Sequence, residues 1–191
     1  MPPSVLSKAG LPAGIVIVGH AIVSADGMIS AADGTMPASL RNDADWRRFQ
    51  AALDESVLVV LGREGHRRHG NSGRRRLVFT GAVAAIAPDP EDASATLYNP
   101  AGATLADLFA HLGVAQGTIA VTGGTRVFDA FLPLYDRFEL AEANTAALPG
   151  GRPCFPEGHP RTVLAAAGFQ PRRFELLDAG QGVTLTHWMR P

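Results

Sequence analysis

The sequence predicts an α/β domain in three layers: a mostly parallel central sheet covered by helices on both faces, with a C-terminal antiparallel hairpin at its edge. Three observations lead there. Apolar runs alternate with segments of helical periodicity, the pattern of crossover units in a parallel sheet. The runs GIVIV at 14–18 and VLVVL at 57–61 have almost no polar alternate, as in strands buried on both faces. The end of the chain instead reads as two strands, 173–177 and 183–188, around a turn at 178–182.

In order, residues 14–23 form the first strand, and a polar loop with glycines follows over 24–41. Asn42 or Asp43 caps a helix through Leu53, with Trp46, Phe49 and Leu53 on one face. The second strand is 57–61, ended by Gly62; a polar, basic stretch with an initial helical turn runs over 63–76, and 77–80 is the third strand. A short strand near 95–98 precedes a helix capped by Thr104, with Asp107 at the third helical position. A strand at 118–122 leads through Gly123 and Gly124 into a helix over 126–132; 137–143 is a strand, and a Gly/Pro-rich loop covers 148–160.

The 191 residues at 20.0 kDa fit one domain, with 1–13 expected to be a loose N-terminus. Seventeen basic side chains face eighteen acidic ones, which argues against bulk affinity for nucleic acid or an anionic membrane. No apolar run approaches the ~20 residues that span a bilayer. The single cysteine, Cys154, excludes an internal disulfide and a cysteine-built zinc site, and suits a cytoplasmic protein.

Three segments carry candidate chemistry. In 121–132 (VTGGTRVFDAFL) a buried strand ends at two glycines and a helix starts at once. Glycines there let backbone approach a ligand, and the first helical N–H groups suit a pyrophosphate; a tight turn needs the same glycines. The segment is neither a P-loop nor a complete dinucleotide fingerprint. Six of the sixteen arginines lie at 63, 67, 68, 74, 75 and 76, a site for phosphate or carboxylate or else a solvated loop. His66 and His69 have a metal-like spacing, but the surrounding cations oppose a metal. Asp45 lies one turn before Phe49; at the edge of a core it holds a proton for transfer, and with Asp43 it also favours the helix N-terminus. His20 and His187 read as packed, hydrogen-bonded histidines.

These pieces, in order, resemble the dihydrofolate reductase superfamily. The second half carries Gly123-Gly124 with the helix through Pro133, then RFEL at 137–140 and Phe155-Pro156. The first half carries DGMIS at 26–30, DGTMP at 33–37, Asp45 with Phe49, Leu61-Gly62-Arg63, and Gly73-Arg74 before a strand ending at Thr80. The Ser24-x-Asp26-Gly27 form of the first loop more closely resembles the reductase domain of riboflavin-biosynthesis enzymes, and the likeness covers about 14–190. No deaminase zinc motif accompanies it.

The resemblance implies an NADPH-dependent reductase acting on a small molecule, a pyrimidine or pterin-like ring, and a homodimer. It implies that Gly123, Gly124, Thr125, Arg126 and Val127 hold the pyrophosphate. Arg63 and Thr80 would meet the adenosine 2′-phosphate, Gly62 would also contact the cofactor, and Ala21, Ile22 and Ile29 would line the nicotinamide. Asp45 would be the catalytic carboxylate, binding substrate with Phe49, while Arg74 holds an anionic substrate tail. Three positions depart from the dihydrofolate reductase pattern: Ala38, Ala141 and Gly65 stand where tryptophan, threonine and threonine are usual. Dihydrofolate as substrate, and a non-catalytic nucleotide-binding module, are the alternatives.

Overall fold

The computed structural model describes residues 6–69 and 73–191. β1 (Gly14–Ser24) is the long central strand. α1 (Asp43–Asp54) follows, its start fixed by the Asn42 Oδ1, which accepts from the backbone N–H of Ala44 and Asp45 at 3.1 and 3.0 Å. The first loop is less irregular than expected, because β2 (Met28–Ser30) forms a small separate sheet with β9 (Arg152–Pro153).

Next come β3 (Leu58–Gly62), α2 (Arg63–Arg68), β4 (Arg76–Phe79), β5 (Ile86–Pro88) and β6 (Ala95–Tyr98). α3 (Leu105–Leu112) opens on the expected capping box, with Thr104 and Asp107 bonding each other's backbone N–H, and ends at Gly113 in the left-handed region. Then follow β7 (Gln116–Val121), α4 (Thr125–Phe131), β8 (Arg137–Ala143), α5 (Pro160–Ala166), β10 (Gln170–Asp178) and β11 (Val183–Met189). The expected antiparallel hairpin is present as β10 and β11.

Among the described residues the main sheet has nine strands in the order β10-β11-β8-β1-β7-β3-β4-β6-β5. Its centre, from β8 to β6, is parallel; β11 joins β8 antiparallel, and β5 joins β6 the same way. Alternate residues of β3 explain the three layers. Leu58 and Val60 enter the larger core with Phe109, Phe128, Phe131 and Leu164 from α3, α4 and α5. Val59 and Leu61 enter a smaller core with Leu53 and Phe49 of α1. No helix among the described residues is long and apolar enough to cross a membrane.

One expectation needs correction. Trp46 does not share the buried face of α1: it is 54% exposed, and Asp45, one position earlier, is buried instead. In the N-terminal stretch Leu6 is buried in the larger core, and Lys8 Nζ contacts Asp136 Oδ1 at 2.6 Å; residues 1–5 lie outside the described ones.

Candidate active site

The chain runs from β1 to β3, outward to β6, and back to β7, which inserts between β1 and β3. That reversal opens a crevice beyond the carboxyl ends of β1, β3 and β7, the place where α/β sheets bind ligands. Gly123 and Gly124 stand at the end of β7, joined by a cis peptide bond. The Gly123 carbonyl accepts from the Gly62 N–H at 2.8 Å, tying the end of β7 to that of β3.

The two glycines do different work. Gly123 has φ +100°, and a Cβ there would stand 2.4 Å from Cε2 of Phe128, so packing and backbone both require glycine. Gly124 is exposed, and a Cβ there meets only the Ile29 side chain, at 4.0 Å. The site is therefore an open cradle with Ile29 as its far wall. At Gly62 a Cβ would come within 3.5 Å of Val127 and 3.9 Å of the Gly124 nitrogen, filling the same cradle from below. The Thr125 hydroxyl does not face outward: it donates to the Pro153 carbonyl at 2.5 Å. Arg126 is exposed and Val127 buried.

Ile29 is held in place by the Ser24-x-Asp26-Gly27 loop. The Ser24 hydroxyl donates to Asp26 Oδ1 at 2.5 Å and accepts from the Met28 N–H at 3.0 Å. Asp26 also accepts from the Leu148 N–H, and these bonds hold its carboxyl below the usual range. Ala21 is buried and Ile22 half-buried on β1, the strand that ends at this loop.

The six clustered arginines divide. Arg63, Arg67 and Arg68 line a cleft of about 520 Å³ with Glu64, at the end of β3. Glu64 contacts Arg68 at 2.9 Å and also Arg152, which hold its carboxyl low and leave the cleft cationic. The others are held by partners within the fold. Arg74 Nε donates to Asp54 Oδ1 at 2.9 Å, at the far end of α1 from Asp45. Arg75 donates to the Leu112 carbonyl, and Arg76 is buried against Asp92 and Ser94. The Thr80 hydroxyl accepts from the Ala82 N–H at 3.1 Å, in a turn beyond β4. His66 pairs with Asp89 at 3.0 Å rather than with His69.

Asp45 is the buried acid of the site. Burial raises its pKa, and the Arg48 guanidinium partly offsets that: Arg48 Nη2 donates to Asp45 Oδ1 at 3.0 Å. Phe49, the next expected substrate contact, is half-buried with its ring edge toward His20, centroids 6.1 Å apart. His20 lies on β1 and is driven down to about 3 by burial and by Arg48 and Arg137, so it is neutral. Arg48 and His20 also border a second cleft of about 290 Å³ under α1, with Glu139 and His187 on its floor. Arg48 is the member of this group that the sequence reading missed. A spacing of three from Asp45 was visible, but it is the spacing of any solvated helix pair.

No protein-family model matches the chain, and no curated protein matches it in sequence. Solved structures do match. A riboflavin biosynthesis protein from Shewanella sp. PV-4 superposes with a TM-score of 0.65 at 17% identity, over 92% of this chain and 99% of that one. Dihydrofolate reductase from Enterococcus faecalis, complexed with NADP(H), gives 0.65 at 16% identity, over 92% and 96%. The Thermotoga maritima diaminohydroxyphosphoribosylaminopyrimidine deaminase/5-amino-6-(5-phosphoribosylamino)uracil reductase gives 0.63 at 14% identity, over 92% of this chain and 56% of that longer protein. The fold is the dihydrofolate reductase-like fold. Within it, the similarity extends to reductases of the riboflavin pathway.

Proposed function

We propose that the protein is an NADPH-dependent reductase of the riboflavin-biosynthesis type, transferring hydride to a 5-amino-6-(5-phosphoribosylamino)uracil-like substrate. The observation that carries this reading is the open cradle at Gly124, walled by Ile29, whose strand end is bonded to Gly62, the residue just before the Arg63 that lines the cationic cleft with Arg67. A dinucleotide phosphate needs an approachable backbone for its pyrophosphate and guanidinium groups for its extra phosphate, in that order. NADPH supplies the hydride when bound.

This chain's residues do the rest. The backbone of 123–127 holds the pyrophosphate, and Arg63 with Arg67 binds the 2′-phosphate. Thr80 contributes its backbone end of β4 to the same region. Ala21 and Ile29, both packed on the larger core, make an apolar wall that excludes water beside the nicotinamide. Ile22, next to Ala21 on β1, turns to the other face with Leu40 and Ala143 and reaches the cofactor only through its backbone. Asp45, raised by burial, keeps a proton available at its carboxyl and fixes the substrate ring. Arg74 binds a substrate phosphate only by sharing its guanidinium with Asp54.

A cytoplasmic homodimer belongs to the same reading. It is supported by the single, buried, free Cys154 and by the open edge of β10, where Phe174 and Leu176 are 63% and 61% exposed. The test is oxidation of NADPH followed at 340 nm with the uracil substrate and, separately, with dihydrofolate. Turnover with the first and not the second supports the proposal; turnover with dihydrofolate alone moves the protein to the other reductase type.

A further inference from the structure

Glu64 puts a negative charge into the cleft that the proposed function assigns to a phosphate. Its Oε1 stands 2.9 Å from Arg68 Nη2, and its Oε2 pairs with Arg152 Nη1. One carboxylate thus bridges two guanidinium groups, as a phosphate itself does among arginines. We infer that Glu64 is the resident anion of the cleft: a bound phosphomonoester displaces it from Arg68, and its charge sets how strongly the cleft prefers a phosphorylated ligand to an unphosphorylated one. This rests on the reading of the cleft as the site of the 2′-phosphate.

Partly exposed ion pairs are usually worth little, but this one is built into its surroundings. The turn at 31–35, closed by the Ala31 N–H on the Thr35 carbonyl at 2.9 Å, rests on both arginines. Arg68 Nη2 donates to the Asp33 carbonyl at 2.8 Å, and Arg152 Nε to the Ala32 carbonyl at 3.1 Å. Gly34, at φ +84°, packs onto the pair: a Cβ there would stand 2.5 Å from Glu64 Oε1 and 2.8 Å from Arg152 Nη1.

The same bonds let the anions exchange. When Glu64 leaves, Arg68 keeps the Asp33 carbonyl and Arg152 the Ala32 carbonyl, so neither guanidinium loses every acceptor. The Glu64 side chain is 48% exposed, and its released carboxylate turns to water. Arg63 and Arg67 have no ion-pair partner among the described residues and receive the phosphate first, whereas Arg68 is already engaged. Glu64 also repels the incoming dianion from within the cleft, so the wild-type site holds phosphate less tightly than its three arginines alone would.

The test is titration of inorganic phosphate, followed by phosphorus NMR, and of NADPH and NADH, followed by calorimetry. The proteins are wild type, Glu64→Gln, Glu64→Ala, Arg68→Gln and Glu64→Gln/Arg68→Gln, each checked for folding by thermal melting. Both Glu64 variants are expected to bind phosphate and NADPH about tenfold more tightly than wild type, and NADH equally. Starting from Arg68→Gln, the same Glu64→Gln change is expected to gain only about threefold, because the arginine it would free is absent. Equal phosphate affinity in wild type and both Glu64 variants overturns the inference, as does an undiminished gain without Arg68 or no phosphate binding by any variant. A phosphate gain without NADPH binding counts against the reductase proposal and upholds the role of Glu64. NADPH binding that is tight and indifferent to Glu64 does the reverse.

Discussion

The Gly62 N–H donates to the Gly123 carbonyl across 2.8 Å, joining the ends of β3 and β7 at the crevice. The bond brings into one surface two segments that lie sixty residues apart in the chain, Gly62-Arg63 and the glycine pair. It fixes the spacing between the Gly124 cradle and the backbone that carries Arg63, the two parts of the proposed cofactor site.

The glycines of the pair are separable by substitution. Gly123→Ala puts a Cβ into the Phe128 ring at a φ of +100°, and is expected to cost about 2 kcal/mol or more of stability. Gly124→Ala meets only Ile29 at 4.0 Å and is expected to fold with little loss, yet to weaken NADPH binding by occupying the cradle. Thermal melting of each variant, with and without NADPH, reads both effects.

Asp45 gives a pH dependence of defined sign. Burial raises its folded pKa, so the stability linked to its protonated form is full below the ordinary carboxyl value of 3.8 and is lost as pH rises through the raised value. Asp45→Asn removes that loss and is expected to match or exceed wild-type stability at pH 7. Its NADPH-dependent turnover should be low and flat with pH, whereas wild-type turnover falls as pH rises and Asp45 loses its proton. A pH–rate profile of the two proteins checks this.

His20 acts in the opposite direction. Above pH 6.5 its ring is neutral in both folded and unfolded chains and contributes nothing. Below 6.5 the unfolded chain takes up a proton that the folded chain refuses until about pH 3, so stability falls with falling pH. By pH 5 the loss is about 2 kcal/mol. Urea unfolding at pH 7 and pH 5 should show this loss in wild type and not in His20→Asn.

The edge strand β10 offers a direct check on assembly. Phe174 and Leu176 are exposed beside an unpaired backbone edge, and Arg173 and Glu175 lie between and before them with opposite charges. Two copies paired antiparallel about Phe174 would set Arg173 against Glu175. Light scattering is expected to give a dimer for wild type and a monomer for Phe174→Lys/Leu176→Lys.

Much of the fold was legible because burial on both faces leaves an unmistakable mark. The runs at 14–18 and 57–61 became β1 and β3, and the strand at 137–143 has the expected bounds. Capping chemistry fixed α1 and α3 to within a residue. β5 and α5 escaped because both are short, and α5 buries only Pro160 and Leu164, too few positions to set a period. Trp46 misled because its helical spacing from Phe49 and Leu53 suggested the core face, while the true inward position beside it is a carboxylate. In the site, the glycine pair and Asp45 carry their own chemistry and were visible. The partition of the arginines was not: whether Arg63 faces a cleft or Arg76 a buried aspartate depends on where β4 and β6 place Asp92, which no local spacing records.

The central claim is a phosphorylated dinucleotide laid from Gly124 to Arg63, and calorimetric titration with NADPH and NADH tests it most directly. Wild type is expected to bind NADPH at least about tenfold more tightly than NADH, and Arg63→Ala to narrow that gap without changing NADH binding. Equal affinity for both, unchanged by Arg63→Ala, or no binding of either, would contradict the account.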